Sequence, residues 1–346
     1  MAGGPSTPAL AAAVSAVGGL GFLAAGYKRP EDLAGDIART RELTPAPVGV
    51  NLFVLAETPV DRARLTAYAQ AIEPEARRHR VALGEPHFDD DALYAKLEVV
   101  CRERPPIASF TFGCPAPEVV QRLHERDIAV WVTVTEVEEA LLAARSGADA
   151  LIVQGVEAGG HRGSFEDADG CGEIGLLPLL RLVARASDLP LIASGGIADG
   201  VAVGAAVVAG AKAAQIGTAF MRCPEAGTNE AHRDALTRPG PTALTRAFSG
   251  RRARGIVNTF MRDHSTHAPP AYPHVLHVTA PLRAAARKAG DADAINLWAG
   301  QAHTLAEHRP AGDLVRRWSA EARAAIEQAH GRLTAPGEHL TSLPEG

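Results

Sequence analysis

Residues 190–218 read PLIASGGIADGVAVGAAVVAGAKAAQIGT. An apolar run, Pro190–Ser194, enters a Gly195-Gly196 turn. Asp199 then precedes an Ala- and Val-rich stretch through Val208, which ends before Gly210. A second apolar run, Ala213–Ile216, finishes in Gly217-Thr218. Short, nearly continuous apolar runs predict strands covered on both faces. An acid before the middle stretch and a glycine after it predict a capped helix. Strand, helix and strand in this order make one parallel βα crossover.

The same grammar repeats upstream. Apolar runs at Gly21–Ala24, Val48–Leu55, Ala108–Phe112, Ala129–Thr135 and Ala150–Gln154 alternate with helical stretches. These stretches are Thr7–Val17, Asp61–Arg78, Asp90–Arg104, Glu118–Arg126, Glu136–Arg145 and Leu177–Ala186. Such repetition predicts the α/β class and a (β/α)8 TIM-type barrel. The run from Gly21 to Ile216 supplies seven strands, one short of closure. Thr7–Val17 already reads as a helix, with Pro8 near its start. The first barrel strand is therefore expected to be missing or truncated, with the true start upstream of Met1. After Met221 prolines multiply and strand-like runs thin out, while Ala294–Glu307 and Gly312–Gln328 read as helices. The expected division is a barrel over 1–224, a C-terminal helical cap over 225–334 and a loose tail over 335–346.

Composition narrows the partners. The chain has 346 residues, 46% hydrophobic and 22% charged, with a formal net charge of -5. No long single-sign block is present, so neither nucleic acid nor an anionic membrane is an expected partner. The four cysteines match neither a CxxC pair nor a zinc spacing. They read as free thiols of a cytoplasmic protein. Residues 9–26 resemble a signal-peptide core, but no Lys or Arg precedes them, and a signal peptide is not expected. A homodimer is compatible with all of this.

Several residues stand where chemistry is expected. Loops after barrel strands lie at the C-terminal face, where active sites form. Residues 153–163, VQGVEAGGHRG, follow one such strand and place His161 in a glycine-rich loop. Glycines there let backbone approach a ligand. Gly195-Gly196 and Gly217-Thr218 end the two last strands, the usual phosphate site of barrel enzymes. Asn51 interrupts an apolar strand and Gln154 ends another. Each needs a hydrogen-bond partner, either structural or the polar edge of a planar heterocycle. Cys114 would face the pocket or be an inert buried thiol. The basic run 249–255, SGRRARG, could reach a phosphate or form a solvated loop. His264, His267, His274 and His277 lack firm ligand spacing, and no metal is expected.

Together these stretches resemble the nitronate monooxygenase family. The matching segments are residues 2–27, 49–54 (GVNLFV), 110–115 (FTFGCP), 153–163, 191–200, 215–220 and 248–255. The resemblance implies an FMN-dependent oxidoreductase that oxidises alkyl nitronates, such as propionate 3-nitronate, with O2 to a carbonyl compound and nitrite. It implies that Asn51, Gln154, Gly159, Gly196, Gln215, Ile216, Gly217 and Thr218 bind FMN and that His161 is catalytic. A neutral imidazole can take the α-proton of a nitroalkane, and an imidazolium can stabilise a nitronate. Two departures stand out. Met1 falls where the family's strand-one methionine lies, and Thr111 replaces a histidine of the family pattern. Competing readings are an FMN enoyl-acyl-carrier-protein reductase, an NADH:quinone reductase and a non-enzymatic barrel for a phosphorylated ligand.

Overall fold

The computed structural model describes residues 1–334. α1 (Pro8–Ser15) starts on Thr7, whose side chain accepts the Leu10 N–H, with Pro8 inside the first turn. β1 (Gly21–Ala24), α2 (Pro30–Leu43), β2 (Val48–Phe53), α3 (Arg62–Arg78), α4 (Leu93–Glu103) and β3 (Ile107–Thr111) follow. Then come α5 (Pro117–His124), β4 (Ala129–Val134), α6 (Val137–Ser146), β5 (Ala150–Gln154) and the short β6 (Gly160–His161). α7 (Leu176–Ala186), β7 (Leu191–Ser194), α8 (Gly200–Val208) and β8 (Ala213–Gln215) complete this half. The acidic cap expected for α8 is present: Asp199 accepts the Ala202 N–H.

Seven parallel strands form one sheet in the order β1-β2-β3-β4-β5-β7-β8. This is a TIM-type barrel. Side chains alternate along its strands, as a period of two requires. Leu151 and Val153 of β5 join the core beneath the helices, while Ala150 and Ile152 face a small inner cluster with Ile192 and Trp131. Register sets the polar strand ends side by side. Asn51 pairs with Ser109, Gln154 with Ser194 and Ser194 with Gln215.

β1 and β8 are the two edges of this sheet. The first residues of the chain tie β1 to the segment 225–227, which follows β8. Ser6 Oγ donates to Phe22 O at 2.6 Å, Thr7 Oγ1 to Glu225 O at 2.6 Å, and Gly227 N–H to Pro5 O at 3.2 Å. The bond to Phe22 O occupies a backbone group of the edge strand β1.

Beyond β8 lie α9 (Glu230–Ala235), β9 (Thr242–Thr245), β10 (Ala253–Ile256), α10 (Thr259–His264), α11 (His274–Lys288) and α12 (Ala311–Thr334). β10 pairs antiparallel with both β6 and β9, so His161 belongs to a second sheet. The helix expected at Ala294–Glu307 does not form. Residues 297–299 run beside β10 instead, with Ile256 N–H donating to Leu297 O at 2.9 Å and Ala299 N–H to Arg254 O at 3.2 Å, and only His303–Leu305 form a short 3-10 turn. Pairing with a distant strand overrides local helical spacing. α10 and α11 share a core with α3, built on Tyr68, Phe248, Phe260, Val275 and Val278. α12 lies on the barrel wall against α8, where Gly200 N–H donates to Glu321 Oε2 at 3.1 Å. No helix among the described residues is long and apolar enough to cross a membrane. The tail expected over 335–346 lies outside the described residues.

Candidate active site

One cavity of about 1710 Å³ collects the residues named from the sequence: Asn51, Gln154, Gly159, His161, Gly196 and Gln215 to Thr218. That exceeds the usual ~300–1,000 Å³ of a ligand pocket. The excess runs down into the barrel between β1 and β8, past Phe22, Trp131 and Ala213.

His161 stands at the seam between the two sheets. Its partner in register is Ala253 of β10. Its Nε2 lies 2.9 Å from Ser249 Oγ, and that hydroxyl lies 3.1 Å from Arg251 O. Aromatic rings wall it in, with centroids of Trp298, Tyr272 and Phe112 at 5.5, 5.6 and 5.8 Å. Burial, then the Arg251 and Arg283 charges, lower its pKa to about 3. The ring is neutral at pH 7, so it can accept a proton. The same forces oppose the imidazolium form raised by the sequence.

Gln154 and Arg162 fix the loop that carries His161. Gln154 Nε2 donates to His161 O at 3.2 Å, and its Oε1 accepts the Gly163 N–H at 2.8 Å. Arg162 is fully buried and donates to the carbonyls of Gly155, Gln154 and Gly172 at 2.7, 2.8 and 3.0 Å. Hydrogen bonds from a charged donor contribute ~1.5–3 kcal/mol each, so the loop is held from within. Asn51 Nδ2 donates to Ser109 Oγ at 2.9 Å and Thr111 Oγ1 at 3.0 Å. Thr111, the departure from the family pattern, therefore helps orient Asn51.

The glycines divide into two kinds. Gly195 and Gly196 have φ of +117° and +69°, a region that disfavours side chains. Gly159 is instead required by packing, because a Cβ there would lie 2.4 Å from Gly300 N. The N–H groups of Gly195, Gly196 and Gly217 donate to no acceptor among the described residues. A Cβ on Gly160, at φ +76°, would meet nothing within 4 Å and would project into cavity space. Free N–H groups at two adjacent strand ends fit a phosphate, and a bare backbone edge fits a flat ring. Thr218 also joins the barrel to the cap, its Oγ1 accepting the Gly300 N–H at 3.0 Å.

Two expectations change. The basic run is neither a phosphate ligand nor a solvated loop. Arg251, Arg252 and Arg254 are all buried. Arg252 pairs with Asp167 and Glu173 at 3.2 and 2.9 Å, and Arg254 donates to Val156 O at 2.8 Å. Arg251 stacks over Phe112, 4.4 Å from the ring centroid. They bolt the second sheet to the loop after β5. Cys114 packs against the barrel core, and burial raises its pKa; it is not among the cavity-lining residues. All four cysteines are free thiols, as expected.

Other cavity residues were missed. Tyr27 and Tyr272 lie hydroxyl to hydroxyl at 3.2 Å. Arg283 donates to Thr279 Oγ1 at 3.0 Å and Leu276 O at 2.9 Å, and burial lowers its pKa to about 10. No carboxylate pairs with Arg283 among the described residues.

Comparison with known proteins agrees with this geometry. The chain is 42% identical to a nitronate monooxygenase of Pseudomonas aeruginosa, covering 92% of this chain and 94% of that one. It is 38% identical to a nitronate monooxygenase of Paraburkholderia phytofirmans, covering 94% and 91%. Its structure superposes on nitroalkane oxidase from Streptomyces ansochromogenes with TM-score 0.92 and 47% identity, over 95% of each chain. FabK from Thermotoga maritima is more distant, at TM-score 0.74 and 27% identity over 96% and 93%. The family profile described as nitronate monooxygenase matches residues 1–321, and the chain belongs to that family of flavin-dependent oxidoreductases.

Proposed function

We propose that this oxidoreductase holds FMN and oxidises alkyl nitronates, such as propionate 3-nitronate, with O2 to a carbonyl compound and nitrite. In this reading His161 is the catalytic residue, and Asn51, Gln154, Gly159, Gly196 and Gln215 to Thr218 form the FMN site. When bound, the flavin supplies electron transfer between the organic substrate and O2. The chain's own residues do the rest. The N–H groups of Gly195, Gly196 and Gly217 would hold the phosphate. Phe112, Tyr272 and Trp298 exclude water around His161. Arg251 and Arg283 give this end of the cavity positive charge, which favours an anion.

The observation that carries the reading is His161 in its aromatic cage, at the end of the cavity where the buried Arg251 and the half-buried Arg283 help keep the imidazole neutral. Such a site suits a nitronate directly, and a neutral nitroalkane where the nitronate being formed offsets the Arg251 and Arg283 charges that oppose the imidazolium. The test is anaerobic mixing of the flavin-loaded protein with propionate 3-nitronate or with NADH. We expect bleaching of the visible flavin band by the nitronate and none by NADH. The reverse result would favour the nicotinamide-dependent reductases, and a protein that takes up no flavin would favour the phosphoryl-binding barrel.

A further inference from the structure

The rim of the cavity carries a side-chain cluster that nitronate oxidation does not use. His87 and Asp89 lie in the segment between α3 and α4, and His277 lies in the first turn of α11. One ligand atom from each falls within 4.8 Å of the others. His277 Nε2 stands 4.0 Å from Asp89 Oδ2. The two imidazole rings stack, with centroids 3.8 Å apart and planes 18° from parallel.

Hydrogen bonding leaves ligand positions open. His87 Nδ1 contacts Glu85 O at 3.0 Å, which leaves its Nε2 for another partner. His277 Nε2 is buried and has no hydrogen-bond partner among the described residues. The segment is also anchored on both sides of the cluster. Gly84 N–H donates to Val278 O at 3.0 Å, and a Cβ on Gly84 would lie 2.2 Å from His277 O. Only glycine permits that approach. Beyond the cluster, Asp91 accepts the Tyr27 N–H at 2.8 Å and pairs with the buried Lys96 at 2.7 Å. His87 and Asp89 are thus held against α11 from both directions.

We propose that His87, Asp89 and His277 form a site for one divalent transition-metal cation of the zinc class at the mouth of the cavity. Two imidazole nitrogens and one carboxylate oxygen suit such cations, whereas Ca²⁺ and Mg²⁺ prefer oxygen ligands alone. A tetrahedral ion with bonds of about 2.1 Å needs ligand atoms about 3.4 Å apart. The present spacing, within 4.8 Å, is wider than that, so binding requires the side chains to rotate and the ring stack to open. Three protein ligands leave one position for water. Asp89 and His277 line the cavity, so the bound cation ties the α3–α4 segment to α11 across the substrate's path.

The test is calorimetric titration of the flavin-loaded protein with ZnCl2, followed by turnover at the same zinc concentrations. We expect one cation per chain, a several-fold fall in kcat/KM and full recovery with a chelator. CaCl2 should produce neither. His87 lies outside the cavity lining, so His87→Ala should leave metal-free turnover unchanged. It should weaken zinc binding about 10- to 100-fold or more, because even outer-shell partners of a metal ligand cost that much. His277→Ala should weaken binding similarly. Zinc affinity unchanged in both variants, or no binding to the parent protein, would overturn the site. Binding that depends on both histidines but leaves kcat/KM unaltered would overturn its placement across the substrate's path.

Discussion

The cavity has two unlike walls. At the ends of β7 and β8 the barrel side offers backbone: Gly195, Gly196 and Gly217 present N–H groups at adjacent strand ends. On the side formed by residues after β8, the cap wall of the expected division, the lining is side chain: Tyr272, Trp298, Ser249 and Arg283. Backbone donors are the same in every residue, so a backbone wall suits a constant group, here the proposed flavin. Side chains can be exchanged one at a time, so the cap wall suits discrimination between substrates. His161 joins the two, carried by a barrel loop but paired in register with the second sheet. Substitutions on the barrel wall should therefore cost flavin. Substitutions on the cap wall should cost turnover while flavin is kept.

The largest effect is expected on the barrel wall. In Gly196→Val the backbone would have to keep φ +69°, and the new Cβ would lie 3.0 Å from Glu157 Cβ. A side chain at such a φ costs ~1–3 kcal/mol where the fold enforces it. The added branches would also displace a phosphate. Purified Gly196→Val should be largely free of flavin and inactive, as read from its visible absorbance. Full flavin content would place the phosphate elsewhere and erase the contrast between the walls.

His161 tests the seam. His161→Asn should keep fold and flavin and slow turnover of neutral nitroalkanes roughly 10²–10⁴-fold, the usual range for a positioned proton acceptor. Preformed nitronates, already deprotonated, should lose less. Equal and small losses on both substrates would remove His161 from proton transfer.

Arg283 tests the cap wall by itself. It is a half-buried cation with only neutral partners among the described residues. An anionic substrate would supply the missing charge, and a charge-assisted hydrogen bond of ~1.5–3 kcal/mol corresponds to roughly 10- to 100-fold in affinity. Arg283→Met should raise KM by about that factor for a nitronate bearing a carboxylate. The rise should be smaller for an uncharged alkyl nitronate, and flavin content should be normal. Loss of flavin in this variant would mean that the cap wall also holds the cofactor.

The same contrast explains what the sequence disclosed. Strands of the barrel are local apolar runs, and their glycine turns leave a mark in composition. β1 to β5, β7 and β8 all fall within or beside the expected runs, and the residues expected to bind or react share one cavity. The cap wall is made by distant pairings. β9 (TALT) and β10 (ARGI) are as short as β1 and β7 but are not apolar runs, so nothing local marks them. Arg252 looks solvated until the acids at 167 and 173 are placed beside it. Residues 294–307 have helical spacing, yet 297–299 run along β10. Tyr27 and Tyr272, 245 positions apart, meet only in three dimensions.

Ser249→Ala should give the smallest effect and the sharpest reading of the seam. His161 Nε2 is occupied by Ser249 Oγ at 2.9 Å. The serine hydroxyl has a second partner, Arg251 O, at 3.1 Å. A carbonyl can only accept, so the hydroxyl proton is best used there, and Oγ then accepts from Nε2–H. That tautomer leaves Nδ1 unprotonated, the form a proton acceptor requires. Ser249 is thus a positioning residue, acting through His161. In Ser249→Ala the ring keeps its aromatic cage but loses the bond that selects the tautomer. A neutral hydrogen bond contributes ~0.5–1.5 kcal/mol, so turnover of neutral nitroalkanes should fall roughly two- to tenfold. Turnover of preformed nitronates should stay near the parent value, and so should flavin content. Ser249→Thr, which keeps the hydroxyl, should restore the ratio of the two activities. If Ser249→Ala slows both substrates equally and Ser249→Thr fails to restore the ratio, the serine is only packing against the ring. The selection of the basic nitrogen must then be sought on the flavin side of His161.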